Sequence, residues 1–492
     1  MARLTVDSIP GDGSATHRAA PERPRTPDTA PTGSTERVRR WAIEHPAELL
    51  LVGIVLTLPL EISKTLFPIQ QLEIARLLML PAVVIGVAAV ARGARPIPRP
   101  LVLGVLAVLA VNTLSFLATR WADGTLLAVA PIAYALVAVF VAVTVRERRT
   151  ILVVGLAVLI STGYVAVIAA AQSVFGFYLW REGVLDVLGR ANATFGDPNI
   201  AARFVSFGVV VGLALLQLRP WQSRLPDVAV GALLALFAAA IVVTQSRFGW
   251  LSLAVVLGLW LALHVRSPRA WAGVGVFLLA FTIVATINVT ALKRAGEVVA
   301  GVDHSLGGGL DLPGDRGNLT AGDDRTYHPP RIVPGHDVWS RLPIDNVRYY
   351  LLEAGVAMWQ DAPLVGLGTG AFRPMILGSY RGFLPLDRIA APIALPHTFL
   401  AQLGAENGWV GILALSVLAV GAGLVIIRTA RSEDPVMRLA AAATSLSLIL
   451  IFSSSQAEGR FYVEPYLWVG IGILASIARM ESTDSSSIVV EG

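Results

Sequence analysis

The sequence predicts an all-α polytopic membrane protein with about twelve transmembrane helices and one large extracytoplasmic loop between the ninth and the tenth. Three observations lead there. Hydrophobic residues make up 55% of the 492 and charged residues 15%, too little charge to cover a water-facing surface of this length. Apolar runs of about 20 residues, long enough to cross a bilayer as helices, recur from end to end. The segments of a membrane β-barrel would be shorter and would alternate apolar with polar residues.

Residues 1–45 are rich in Pro, Thr, Ser, Gly and Arg and hold no apolar stretch. That composition buries too little surface to fold, so a disordered cytoplasmic tail is expected. Without the apolar core of a cleavable signal, the first helix should remain as an anchor. The spans fall at 47–66, 72–91, 101–118, 125–145, 151–173, 199–218, 228–244, 248–264, 271–291, 398–427, 436–454 and 461–478. Helices one to nine thus occupy 46–291, the large loop 292–397, helices ten to twelve 398–479, and a short cytoplasmic tail 480–492. Glu61 and Lys64 near the end of the first span sit awkwardly in hydrocarbon.

Arginine sets the orientation. Arg92, Arg95 and Arg99 share one short turn, and Arg146, Arg148 and Arg149 the next but one. Arg219 with Arg224, Arg266 with Arg269, and Arg428 with Arg431 and Arg438 continue the alternation, with Arg479 after the last span. The positive-inside bias places these turns, and with them both termini, in the cytoplasm, so the chain belongs to the cytoplasmic (inner) membrane. The pI of 9.7 follows from these anchors and gives no reason to expect nucleic acid as a partner. Lysine occurs only at Lys64 and Lys293, and there is no cysteine, which excludes disulfides and thiolate chemistry.

Within the large loop, residues 301–342 are Gly, Asp, Pro and Arg with little periodicity. Residues 346–360 place Val347, Tyr350, Leu351, Ala354 and Met358 at helical spacing. They predict an amphipathic helix against the membrane or the bundle, N-capped by Asp345.

Several residues on the outward side suit chemistry on an anionic substrate. His397, one of seven histidines, ends the large loop at the mouth of the tenth span. By itself it reads first as an interfacial residue; as a neutral imidazole it is also able to take a proton from a hydroxyl. Arg247, in the turn TQSRFGW, serves equally as a snorkelling anchor or as a bidentate fork for phosphate oxygens. Arg348 in the first turn of the amphipathic helix opposes the helix dipole; Asp345 offsets it, or an anionic partner does.

Gly366, Gly368 and Gly370 in PLVGLGTGAF could bring backbone N–H groups close to an anion, although a plain loop after the helix fits the same run. In GRANATFGDPN, Asp197 and Pro198 read as N-cap and first helical residue of the sixth span, with Arg190, Asn192 and Asn199 as candidate substrate contacts. Thr398, Gln402 and Glu406 lie at i, i+4 and i+8, a polar stripe that must face the bundle or a cavity. No cluster has metal-ligand spacing, so neither a metal nor a cofactor is expected.

The segments GRANATFGDPNIAARF, VVTQSRFGWLSLA, RYYLLEAGVAMWQDAPLVGLGTGAF and HTFLAQLGAENGWVGILAL, in this order, resemble the O-antigen ligase and polymerase superfamily over roughly residues 150–425. The resemblance implies a GT-C-like fold and transfer of a glycan from an undecaprenyl-pyrophosphate carrier to a glycan, lipid or protein acceptor at the outer membrane face, without a metal. It puts the family's essential histidine on His397, the arginine of its S-R-G segment on Arg247, and the arginine some fifty residues before the histidine on Arg348. Phe248 here stands where glycine is common in the family, and residues 301–342 have no evident counterpart. The implied reaction is inverting glycosyl transfer by an O-antigen ligase-like enzyme, with a Wzy-type polymerase as the alternative. A twelve-span transporter or flippase is the contrasting class; such proteins repeat their halves and hold ionisable residues at the midplane, and no repeat is present here.

Overall fold

A computed structural model of the chain describes residues 44–66, 73–179, 189–288, 346–380, 383, 398–459 and 461–488, with backbone alone at 346–350, 458 and 483–488. Contacts divide the chain into Met1–Pro46 and Ala47–Gly492. Of the first only residues 44–46 are described, so the architecture below is that of the second.

The regular elements among the described residues are all helical. They run α1 (Pro46–Thr57), a 3-10 turn (Glu61–Leu66), α2 (Ile74–Ala91), α3 (Arg99–Thr119), α4 (Gly124–Thr144), α5 (Arg148–Phe175), α6 (Pro198–Leu218) and α7 (Leu225–Thr244). Then come α8 (Arg247–Leu263), α9 (Pro268–Ile287), α10 (Asn346–Asp361), α11 (Phe372–Leu377), α12 (Phe399–Thr429), α13 (Pro435–Glu458) and α14 (Pro465–Ile488). Among the described residues nine helices, α2 to α7, α9, α12 and α13, are long and apolar enough to cross a membrane, while α1 and α8 are apolar but shorter. A helix stands at each of the twelve expected positions, and the chain is a polytopic helical membrane protein.

Two expected spans are interrupted, each for a backbone reason. The first stops at Thr57, because Pro59 has no N–H to continue the ladder, and a tight 3-10 turn follows. The tenth is broken at Gly408, whose φ of 58° and ψ of −154° are non-helical.

The bundle closes on small residues. α3 packs along α12, where a Cβ on Gly104 would lie 2.3 Å from Leu418 Cα and one on Gly421 2.4 Å from Pro100 O. The two backbones touch there, which replaces the hydrophobic drive that lipid cannot supply. α4 packs against α2 and α14; α6 packs against α5, α7 and α13. Phe140, Phe237, Trp260 and Trp468 are fully buried between these layers.

Of the two settings open to the amphipathic helix, α10 takes the bundle. Its Leu351, Ala354 and Met358 are buried with Phe372, Ile376 and Ala405. Asp345 and the 301–342 stretch lie outside the described residues, as do the side chains of Val347 and Tyr350.

Candidate functional site

The helix ends away from the arginine-rich turns hold a polar node built from two distant segments. Asp197 N-caps α6 by accepting from Asn199 N at 2.7 Å, with Pro198 as the first helical residue. Capping frees the Asn199 amide to act outward. Its Oδ1 accepts from Arg190 Nη2 at 2.9 Å and from Ser246 Oγ at 2.8 Å. Arg190 Nε also donates to Thr244 O at 2.9 Å, and Ala191 N to Val243 O at 3.0 Å, so residues 190–191 lie along the end of α7.

Ser246 in turn caps α8, accepting from Gly249 N at 3.1 Å. Arg247 is the next residue, the first of α8, where the helix N-terminus adds positive potential to its guanidinium. The Phe248 departure costs the packing nothing. Phe248 is 39% exposed, while Gly249 takes the tight position, its would-be Cβ 2.9 Å from Ala202 Cβ. Arg190 and Asn199 are thus brought together with Ser246, the residue before Arg247. Asn192 is not: it is fully buried, and its Oδ1 accepts from Gln172 Nε2.

Charges absent from the sequence-based site hold this node from behind. Thr194 Oγ1 donates to Pro59 O, Ile62 N to Thr194 O, and Gly196 N to Glu61 Oε2 at 2.8 Å. Lys64 bridges Glu61 and Glu73 at 3.0 and 3.1 Å, and Arg76 joins Glu73 at 3.0 Å. One turn into α6, Arg203 pairs with Glu464 at 2.9 Å, their side chains 1% and 8% exposed. The signal was present: an arginine inside an apolar span and a Glu–Lys pair at the end of another are out of place unless partnered.

The glycine run is committed to the break in α12. Gly366, Gly368 and Gly370 all have positive φ, 68°, 108° and 85°. Leu367 N and Gly368 N donate to Ala405 O and Glu406 O, and Trp409 N and Val410 N donate to Pro363 O and Leu364 O. The loop therefore supplies the partners that the interrupted helix lacks, which irregular backbone at membrane depth requires. Gly366 N bonds Ala362 O, and Gly370 N the Glu406 carboxylate. The three N–H groups expected to face an anion are used inside the protein.

Glu406 is 5% exposed and Gln402 7%. Besides Gly370 N, the Glu406 carboxylate accepts from Phe372 N at 3.3 Å and Gln402 Nε2 at 3.4 Å. Asn407 Nδ2 reaches Thr369 Oγ1, which donates to Asn112 O of α3, and Trp121 Nε1 donates to Leu367 O. Glu406 and Asn407 therefore tie α12 to the loop, and Thr369 ties the loop to α3.

Arg348 falls in the first turn of α10, with its side chain outside the described residues. His397 lies one residue before Thr398, the N-cap position of α12, and outside the described residues altogether.

Residues 232–416 match the family model described as O-antigen ligase. None of the curated proteins compared with the chain matches it. The matched stretch carries Arg247, α10 with Arg348, the glycine loop, His397 and the first half of α12; it begins after Arg190 and Asn199, which the fold bonds to it. Over these residues the chain is similar to the O-antigen ligase family, and the match supports a ligase- or polymerase-type function in glycan biosynthesis for this polytopic membrane protein.

Proposed function

We propose that the protein transfers a glycan from an undecaprenyl-pyrophosphate carrier to an acceptor hydroxyl at the outer face of the cytoplasmic membrane, as an O-antigen ligase-like enzyme with both termini in the cytoplasm. The observation that carries this reading is the Arg190–Asn199–Ser246 node, bonded directly beside Arg247 within the family match. A cation held on a rigid cap at a helix N-terminus suits the phosphates of a lipid diphosphate.

In the reaction the acceptor oxygen bonds to the anomeric carbon as the carbon–oxygen bond to the diphosphate breaks. The electron pair leaves with the diphosphate, stabilised by Arg247 and Arg348, and the hydroxyl proton passes to His397. One displacement inverts the anomeric centre, and the residues named supply its charge stabilisation without a metal.

An apolar groove supports a polyprenyl substrate. A cavity of about 160 Å³ lies between α1, α5, α6, α13 and α14, lined by Val55, Gly155, Phe207, Ala443, Val469 and neighbours. Phe204 and Tyr466 stand at its end beside Arg203 and Glu464, on the side of the node.

Purified protein given a carrier-linked glycan and candidate acceptors is expected to form the transferred product. The Arg247→Ala, Arg348→Ala double variant is expected to lose it. Transfer by that variant at the unsubstituted rate would overturn the assignment. One glycan added per acceptor identifies a ligase; a ladder of repeats identifies a polymerase.

A further inference from the structure

The exposed side of α12 continues past the point where the helix breaks. Residues 409–429 follow Gly408 as one regular helix, about 30 Å long at about 1.5 Å per residue, which is the thickness of a hydrocarbon core. Trp409, Val410, Leu413, Val420, Leu424 and Ile427 form an exposed apolar stripe along it at helical spacing. Arg428 closes the stripe at one end. At the other the Trp409 ring lies 4.9 Å from that of Trp359, as tryptophans gather at a membrane surface.

The loop after α10 is pinned to the head of this stripe. The first N–H groups of a helix have no partner within it, and here Trp409 N donates to Pro363 O at 2.8 Å and Val410 N to Leu364 O at 3.1 Å. Gly366 N donates back to Ala362 O at 2.9 Å, so the chain doubles back in a tight turn with three paired carbonyls. Leu364 and Val365 stand at its tip, 68% and 65% exposed. Turn tips in water favour Gly, Pro, Asn, Asp and Ser, and adjoining exposed aliphatic side chains there mark a contact surface. Gln360 and Asp361, just before, are exposed and polar. A change from polar to apolar along so short a stretch locates a boundary between water and an apolar medium.

We propose that Leu364 and Val365 are set into bilayer lipid, at the boundary of headgroups and acyl chains in the leaflet away from the arginine-rich turns. The occupant is lipid and not a second copy of the chain, because the tip is bonded to Trp409 and Val410, the first two members of a stripe that runs the length of a membrane span. Pairing of its carbonyls lets the turn meet that boundary, since free ones are excluded from hydrocarbon. The wedge sets the height of the loop against the bilayer. Through the Gly370 and Phe372 N–H groups on Glu406 it sets that of the first half of α12 as well. The proposal stands apart from the glycan-transfer reading.

The chain has no cysteine, so Leu364→Cys, Val365→Cys, Leu413→Cys and Gln360→Cys each provide a single labelling site. Each full chain is spin-labelled and placed in nanodiscs of phosphatidylcholine and phosphatidylglycerol. Collision with oxygen, which concentrates in hydrocarbon, is compared with collision with a neutral nickel chelate, which stays in water. Labels at 364 and 365 are expected to meet oxygen more than nickel, as at 413, and the label at 360 to show the reverse. Nickel access at 364 and 365 as great as at 360 would overturn the proposal. Exclusion of both agents would overturn it too, since it means cover by a second copy or by another segment of the chain. Positions 364 and 365 are labelled separately, so a label that unfolds the chain at one leaves the other, and a thermal melt identifies it.

Discussion

Asn199 is the residue on which the node depends. Its single carboxamide oxygen accepts from both Arg190 and Ser246, so Asn199→Ala removes two bonds at once, one of them to a charged donor. A hydrogen bond to a charged group contributes about 1.5–3 kcal/mol, and kcat/KM for glycan transfer is expected to fall by about one to two orders of magnitude. Steady-state kinetics on Asn199→Ala and Arg190→Gln check this; unchanged values would remove the node from the reaction. Tyr380 offers a test with a pH axis. Burial first, then the hydrogen bond to Asp361 and its charge, push the Tyr380 hydroxyl from 10.0 up to about 12. The folded chain therefore favours the protonated phenol. The stability this contributes is complete below pH 10 and is lost as pH rises through about 12. An ultraviolet difference titration of the unsubstituted protein against Tyr380→Phe is expected to show the missing tyrosine ionising in that upper range.

Among the elements, α12 decides most. Gly408 sits in a region of backbone space that is essentially closed to other residues, and a Cβ there would meet Leu364 C at 2.5 Å. Gly408→Ala is expected to cost about 3 kcal/mol or more from strain and overlap together. The measurement is a thermal melt in detergent, and a transition within a degree of the unsubstituted protein would contradict it.

The same helix marks what could be read from the sequence. Its polar stripe was legible because i, i+4 spacing alone puts Gln402 and Glu406 on one face. The break was not, because ENG inside an apolar run has no local signature until a loop is docked against it. The DPN cap of α6 was legible for the opposite reason: N-cap chemistry is wholly local. α10 stands between these cases. Its buried face followed from periodicity, but its seat on α12 follows from Gly404, whose would-be Cβ lies 2.5 Å from the Trp359 ring. Arg203 and Glu464 were visible only as misplaced charges, since a partner 261 residues away cannot be read from spacing.

Across the whole molecule, Arg203 and Glu464 tie α6, which opens the node, to α14 at the C-terminal end of the bundle. Removing one partner of a buried pair leaves a stranded charge and costs about 3–5 kcal/mol, whereas replacing both by apolar residues is often neutral. Arg203→Met is expected to lower the melting temperature sharply, and Arg203→Met with Glu464→Met to recover most of the loss. Two independent, additive losses would show that the residues do not act as a pair. The groove makes a separate claim. Ala443→Phe narrows it without touching the node, so KM is expected to rise for a long polyprenyl carrier and to stay the same for a short-chain one. Equal effects on both carriers would place the lipid elsewhere.

The broken helix has a consequence for biogenesis. Unpaired backbone groups in hydrocarbon cost several kcal/mol each, so the second half of α12 is a poor membrane segment until residues 363–368 lie against it. Those residues are made earlier, and Thr369 directly after them is clasped to Ser115 and Asn112 of α3, made earlier still. Insertion therefore has an order written into the chain: α3 waits for the loop, and the loop waits for α12. A fragment cut to the family match alone begins too late to provide the first of these surfaces, so it is expected to stall in the translocation machinery or be degraded.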